Sequence, residues 1–461
     1  MNKPGLFDEF SEVSAKQWKQ KIQYDLKGAD YNDTLVWESP EGIKIKPFYN
    51  SEDVKDFEVL EQKPRTWKIA QSLYVGDTVK TNKKAKGFLE KGVESLIFTV
   101  PNAQIDLVEL LKGIEVQNTP IHFNFSFLAQ GPIEKLLTSL KTLPTQLHLH
   151  VDSIGNLART GNWYRSQKED TEVLQKLIHL TAETDFAYPF AIDTTLYQNA
   201  GANLVQQLAY GLSHAHEYLN EFSTAFPKTA FKVAVGGNYF FEIAKIRALR
   251  WLWASLASDY GIDTECHILA VPSKRNKTLY DYNVNMLRTT SECMSGILGG
   301  ADTICNLPYD ALYHKDNEFA ERISRNQLIL LKEESYFENI AHVTNGAFYI
   351  ESLTLQLAQK ALALFKQIEA SGGFLKALET GKIQQKIKRG PNITRPCFNA
   401  VKKIQWATNP TQIPINRLRG KRKLYRFPKK SSKKRKIFPI VKKKGTGKMK
   451  KKPWKMRRKK L

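Results

Sequence analysis

The chain has 461 residues, 42% of them hydrophobic, which is enough for one large domain or two of ordinary size. It has no run of eighteen apolar residues, and its first thirty residues lack an apolar segment behind a basic start, so we expect neither a membrane span nor a Sec signal. The cysteines are few, widely spaced and without a CxxC pair, as in a reducing cytoplasm, where we expect this protein: Cys266, Cys293, Cys305 and Cys397.

The net charge of +24 is distributed unevenly along the chain. Of the 70 basic side chains, 31 lie in residues 382–461, which contain no Asp or Glu, so residues 1–381 hold 39 basic against all 46 acidic side chains. The larger part of the chain is therefore acidic, at −7, and the basic character belongs to the tail alone. We predict three segments: an N-terminal arm at 1–60, a body at 61–381 and a basic tail at 382–461.

The first sixty residues predict an arm that contacts a partner. A helical pattern covers 14–27, and a hairpin pattern around a Pro-Glu-Gly turn covers 35–47. Its apolar side chains lie outside the regular alternation that follows, and four are candidates for a partner interface: Trp18, Ile22, Leu26 and Trp37. Two alternatives remain open, a loosely docked lead-in and packing of these residues on the chain's own body.

Beyond residue 67, apolar strand patterns alternate with helical ones. The eight predicted strands are 67–75, 94–100, 121–126, 146–151, 186–193, 231–235, 266–271 and 302–306. The helical stretches between them include 105–111, 133–140, 172–180, 204–221 and 282–296. This rhythm predicts an α/β fold, a (β/α)8 TIM-type barrel closed by amphipathic helices at 317–334 and 351–369. A doubly wound open sheet is the competing architecture.

The stretch 231–260 is the clearest single unit, a buried strand, a Gly-Gly turn and a long helix. The helix is predicted to bury one apolar stripe, with Lys245, Arg247 and Arg250 facing away from it. Asn238 follows the carboxyl end of the strand, where α/β folds place side chains that contact ligands.

Residue spacing alone predicts no reaction. The Gly-Gly pairs lack the remaining glycines and the Lys of phosphate-binding loops. The His148/His150 and His214/His216 pairs do not have the i, i+4 spacing of metal ligands on a helix, so we expect core or surface histidines and no metal site.

Several segments, in order, resemble the methylmalonyl-CoA mutase family from about residue 6 to residue 388. They are DLKGAD at 25–30, GIKIKP at 42–47, EIAKIRALRWLW at 242–253, NKTLYDYNVNMLRTT at 276–290, GGAD at 299–302, RISRNQ at 322–327, EES at 333–335 and GAFYIESLT at 346–354. The resemblance implies a barrel that holds an acyl-CoA thioester, and a separate C-terminal domain that binds adenosylcobalamin and starts a radical rearrangement.

Departures from the family's pattern imply a non-catalytic role. Leu196 stands where the catalytic large chain has a histidine, and a leucine cannot donate a hydrogen bond to a thioester carbonyl. The large chain also has a tyrosine shortly before an Arg-Pro-Trp at its first strand, whereas residues 61–67 here read EQKPRTW without one, and no Asp-x-His-x-x-Gly cobalt-ligating loop occurs. The resemblance therefore implies the small subunit of a heterodimeric mutase, with no catalytic residue of its own. It also implies that a large partner subunit binds adenosylcobalamin and that acyl-CoA binds in the complex.

At the mouth of this barrel, four polar residues are the candidates for contacting a ligand: Gln198, Asn238, Asn276 and Arg288. Two alternatives to the small-subunit role stay open. One is an active acyl-CoA mutase barrel that uses a separate cobalamin-binding chain. The other is a nucleic-acid-binding protein that acts through its tail.

The tail also departs from the family's pattern, which continues with a normal share of acids. About eighty residues without a carboxylate repel one another and bury little apolar surface, so we expect a disordered segment without a cobalamin domain. A damaged reading of the gene, and an appendage that binds RNA or a membrane surface, are the other interpretations. We expect neither nucleic acid nor a membrane as the principal partner.

Overall fold

Eight parallel strands close into a barrel. The computed structural model describes residues 9–11, 13–54, 65–140, 146–182, 187–222, 228–279, 281–314, 316–339 and 343–389. The barrel strands are β3 (Lys68–Tyr74), β4 (Ser95–Val100), β5 (Ile121–Phe125), β6 (Leu147–Val151), β7 (Ala187–Asp193), β8 (Thr229–Val235), β9 (Cys266–Pro272) and β10 (Thr303–Cys305). They pair in chain order, and β10 pairs with β3 to close the ring. The predicted (β/α)8 barrel is confirmed, and the open sheet is excluded.

The helices surround the barrel. In chain order after the first barrel strand they are α3 (Thr78–Leu89), α4 (Leu107–Leu111), α5 (Gln130–Leu140), α6 (Ser153–Thr160), α7 (Gln167–Ala182), α8 (Thr195–Ala200), α9 (Leu204–Phe222), α10 (Tyr239–Asp259), α11 (Val284–Leu298), α12 (Glu318–Ile329), α13 (Phe348–Ala370), α14 (Gly373–Glu379) and α15 (Lys382–Arg389). One cluster of buried apolar side chains joins the outer faces of the strands to these helices. None of the helices in the described part of the chain is both long and apolar enough to cross a bilayer.

Helix α10 corrects one prediction. Lys245 and Arg247 were expected to face away from the core, but each is only 2% exposed. Three helices, α9, α11 and α13, pack around α10, and its residues 241–249 are all buried. Burial is possible because Lys245 Nζ donates to Ala234 O at 2.7 Å, and Arg247 pairs with Glu351 at 2.5 Å.

The arm begins with α1 (Ala15–Asp25), capped by Ser14 and Gln17 in a reciprocal capping box. After α2 (Tyr31–Leu35), the strands β1 (Trp37–Glu38) and β2 (Lys44–Ile45) form the predicted antiparallel hairpin. Ile43 in its turn is fully buried in the main core. The turn of the hairpin therefore packs on the chain's own barrel.

The packed body extends past the expected boundary at residue 381. Ile383 and Ile387 of α15 are buried and belong to the main core. The body therefore continues to about Arg389, and the predicted basic tail beyond it lies outside the described residues.

Candidate functional site

The carboxyl ends of the eight strands open onto a polar cavity, at the face where TIM barrels carry their sites. A cavity of about 360 Å3 lies inside this mouth, and a second one of about 380 Å3 adjoins it. The two share lining residues from six of the strands and their loops: Ser72, Thr99, Asp193, Lys232, Val271, Lys274 and Cys305. The mouth is therefore one continuous polar depression.

The acids of the mouth are already paired. Arg159 Nη2 donates to Asp193 Oδ2 at 2.7 Å. Asp152 accepts from Gly155 N at 2.7 Å, from Tyr218 Oη at 2.9 Å and lies 3.0 Å from His214 Nε2. Burial alone would raise the pKa of the Asp152 carboxyl, but His214 and the hydrogen bonds outweigh it and hold that pKa below its usual value. Both carboxylates orient neighbouring side chains, and that of Asp152 stays ionised.

Two lysines add positive charge to the same depression. Lys232 projects from β8, and its Nζ lies 3.3 Å from Asn124 Oδ1. Lys274 follows β9 and lines both cavities. The mouth thus presents cationic groups beside acids that are committed to other partners, which suits an anionic or strongly polar ligand.

Leu196 lies in α8, directly after β7, and is 1% exposed. Its side chain belongs to the apolar core and lines neither mouth cavity. The next residue, Tyr197, is equally buried, and its hydroxyl lies 3.0 Å from His214 Nδ1. The position where the resemblance places a polarising histidine is therefore turned into the core.

The four predicted mouth residues lie beside the cavities and line neither of them. Gln198 is buried and hydrogen-bonded to Gln207. Asn276 donates to Glu292 Oε1 at 2.6 Å, and the backbone carbonyl of Asn276 accepts from Arg288. Asn238 is the exposed N-cap residue of α10 and makes no side-chain cap bond.

The Gly236–Gly237 turn explains this grouping. A Cβ on Gly236 would lie 2.7 Å from Gln198 Nε2, and one on Gly237 would lie 3.1 Å from Asn276 Nδ2. The structure therefore brings Gln198 and Asn276 to opposite sides of one turn. Their hydrogen bonds serve the packing of loops, while the cavity itself is lined by residues that the sequence did not single out.

Lys232 lines the cavity but was not predicted as a site residue, although its position in the sequence could have identified it. It lies inward on β8, two residues from Ala230 and Ala234, in a strand that the apolar pattern already predicted. A polar residue at an inward position of a predicted barrel strand is the signal for such a residue, and Asn124, Asp193 and Lys232 all carry it.

The histidine pairs divide between two environments. His214 is fully buried between Tyr197 and Asp152, whereas His216 is half-buried and lies 2.9 Å from Glu369. His148 and His150 both point into the barrel. Burial, reinforced by Lys232, lowers the pKa of His150 to about 3, so it is neutral near pH 7 and a poor base.

The four interface candidates differ in exposure. Trp18 is 50% exposed on α1, where it meets Phe48 edge-on at 6.0 Å, while Ile22 and Leu26 are half-buried. Helix α1 buries none of its residues fully. Trp37 is also half-exposed and meets Phe241 of α10 edge-on at 6.3 Å. Three of the four candidates therefore lie on α1 or directly after it, and none of the four is fully buried.

Comparison with known proteins agrees with this architecture. A family model described as methylmalonyl-CoA mutase matches residues 106–403. The chain is 34% identical over 427 residues to a methylmalonyl-CoA mutase small subunit of Porphyromonas gingivalis, covering 85% of this chain and 68% of that one.

Two proteins of Streptomyces virginiae are also similar. A small subunit is 28% identical, covering 83% of this chain and 68% of its own, and a large subunit is 25% identical, covering 80% and 58%. The family match over more than half of the chain, together with the 34% identity, shows that this chain belongs to the methylmalonyl-CoA mutase family.

Proposed function

We propose that this chain is the small, non-catalytic subunit of a heterodimeric methylmalonyl-CoA mutase, which interconverts methylmalonyl-CoA and succinyl-CoA. The observation that carries the proposal is Leu196, an apolar core residue at the position where the catalytic chain has a histidine. The similarity to small subunits over most of the chain supports it.

The large subunit is the proposed site of adenosylcobalamin. The first mouth cavity is lined by His150, whose Nε2 lies 3.0 Å from His122 Nδ1 inside the barrel. A histidine in this position is not presented to a cofactor above the mouth. The residues that line this cavity therefore do not suit the role of a cobalt ligand. The chain's own contribution is to support its partner.

Helix α1 is the proposed contact with the large subunit. Trp18 and Tyr24 are 50% and 79% exposed on a helix that buries no residue fully. An apolar surface of this kind on a soluble fold commonly marks a protein interface, and aromatic residues dominate the binding energy of such interfaces.

Co-expression with the large subunit tests the proposal. We expect a 1:1 complex on size-exclusion chromatography, and the double substitution Trp18→Ala with Tyr24→Ala should weaken it about tenfold or more. Val79→Ala, an equally exposed apolar change on α3, is the matched control and should leave the affinity unchanged. A chain that stays monomeric beside the large subunit would refute the small-subunit role. An unchanged affinity in the double variant would show that the large subunit does not bind through Trp18 and Tyr24 of α1.

A further inference from the structure

Three imidazoles from three strands meet inside the barrel, below the mouth. They belong to His122 on β5, His148 on β6 and His267 on β9. One nitrogen from each lies within 4.8 Å of the other two. His122 and His148 are also aligned in the register of β5 and β6, so this meeting is built into the strand pairing.

Buried nitrogens in this cluster have no protein partner. Within the described chain, His122 Nε2 and both ring nitrogens of His148 are buried without a hydrogen bond. Both residues are at most 1% exposed. Nearly all buried polar groups in folded proteins are paired, so three orphaned nitrogens at one point indicate a ligand.

The remaining nitrogens of the cluster are held in the manner of metal ligands. His122 Nδ1 lies 3.0 Å from His150 Nε2, and His267 Nε2 lies 3.1 Å from Thr303 Oγ1. A metal-binding histidine usually has its second nitrogen fixed by such a hydrogen bond, which sets the tautomer and the ring orientation. This arrangement leaves His122 Nε2 and His267 Nδ1 for coordination, with His148 between them.

We propose that His122, His148 and His267 bind one divalent transition-metal ion of the zinc class, with His150 as a positioning residue. Imidazole suits zinc, copper and nickel, whereas magnesium and calcium prefer oxygen ligands. Three histidines with an open fourth position form an established kind of zinc site. Spacing within single elements predicted no metal site, whereas these three histidines come from three separate strands.

Charged residues near the cluster act in both directions. Lys232 lies near His122 and His150 and opposes a bound cation, as do Arg250 and Arg65 near His267, whereas Asp302 near His267 favours one. The carboxylate of Asp302 is shared with Arg250 and Arg65. The imidazoles therefore have to supply most of the binding free energy, which again favours zinc over harder cations.

Binding requires a ring to turn. His148 lies flat against His122, with ring centroids 4.1 Å apart and planes 9° apart, so their in-plane lone pairs cannot meet at one point as they lie. Two nitrogens on one zinc are also at most about 4.2 Å apart, because each bond is about 2.1 Å. The proposed site therefore includes a rotation about the Cβ–Cγ bond of one histidine, a torsion with broad preferences.

Metal analysis of the purified full-length chain tests the proposal. After incubation with zinc chloride and dialysis, we expect about one zinc per chain and a raised melting temperature. His148→Phe keeps an aromatic ring in the stack but removes both nitrogens, so it should abolish retention. His150→Ala should weaken affinity by about 10–100-fold, as loss of a supporting hydrogen bond does. His179→Ala removes an exposed histidine on α7 and is the control that should still retain one zinc.

Two results would overturn the proposal. One is a wild-type chain that retains no zinc, and the other is a His148→Phe variant that retains as much as wild type. If the variant does not fold, zinc X-ray absorption of the wild-type chain decides the matter. Three imidazole nitrogens at about 2.0–2.1 Å from the zinc ion support the site, and a zinc coordination shell without them refutes it.

Discussion

Lowering the pH from 7.5 to 5.0 is expected to remove a large part of the barrel's stability, because four histidines are buried inside it. Burial lowers the pKa of His150 to about 3 and that of His267 to about 4. It also holds the pKa values of His122 and His148 well below the ordinary value, with repulsion from neighbouring groups adding to the effect. His150 and His267 are therefore neutral in the folded chain at pH 5, and the lowered pKa values of His122 and His148 act in the same direction.

The magnitude follows from proton linkage. An unfolded histidine has a pKa of about 6.5, so at pH 5 it has bound a proton that the folded chain excludes. The unfolded state binds more protons, so stability is present in full above about pH 7 and falls as the pH drops through 6.5 towards 4. His150 and His267 each cost about 2 kcal/mol at pH 5, about 4 kcal/mol together, against a typical total stability of about 5–15 kcal/mol, and His122 and His148 add to this loss.

Urea unfolding at several pH values between 7.5 and 5.0, in the presence of EDTA, measures this loss. Burial also raises the pKa of Glu292 and Glu321, which acts in the opposite direction, so the comparison between variants is the decisive one. His148→Phe should remove the contribution of His148, so the free energy of unfolding should fall less steeply as the pH is lowered. His179→Ala, an exposed change, should leave the pH dependence as it is. Equal slopes for wild type and His148→Phe would refute the reasoning.

Two further predictions concern the body of the fold. Ending the chain after Arg389 should leave the thermal transition unchanged, whereas ending it after Gly381 should lower the melting temperature, because Ile383 and Ile387 are buried. Equal transitions for the two truncations would contradict the packing of α15. Lys277→Met should cost about 3–5 kcal/mol by urea unfolding, since it leaves the buried Glu292 carboxylate without its cation. A loss below about 1 kcal/mol would show that Glu292 is neutral or paired elsewhere.

The sequence predicted all eight barrel strands to within about two residues. Each is a short apolar run between breaks, and parallel barrel strands are covered on both faces, so their signal is strong and local. Helix α3 was not among the helical stretches named from the sequence, because TVKTNKKAKGFL is mostly polar and buries only Thr81, Ala85 and Phe88. The buried Lys245 and Arg247 were misassigned, because their partners Ala234 and Glu351 come from other elements.

The site could be predicted only in part, for a related reason. Leu196 was found through a family pattern, and the residues around it are contiguous in the chain. The cavity lining and the histidine cluster combine single residues from strands that are dozens of residues apart, such as His122 and His267. Spacing within one element carries no information about such groupings. The closed order of the strands and their register decide them.

Cobalamin retention and isomerase activity, measured on the isolated chain and on its complex with the large subunit, show whether this chain is a non-catalytic subunit. We expect no stoichiometric adenosylcobalamin and no isomerisation of methylmalonyl-CoA by the isolated chain, and both in the complex. An isolated chain that retains one adenosylcobalamin and isomerises the acyl-CoA would contradict the non-catalytic role.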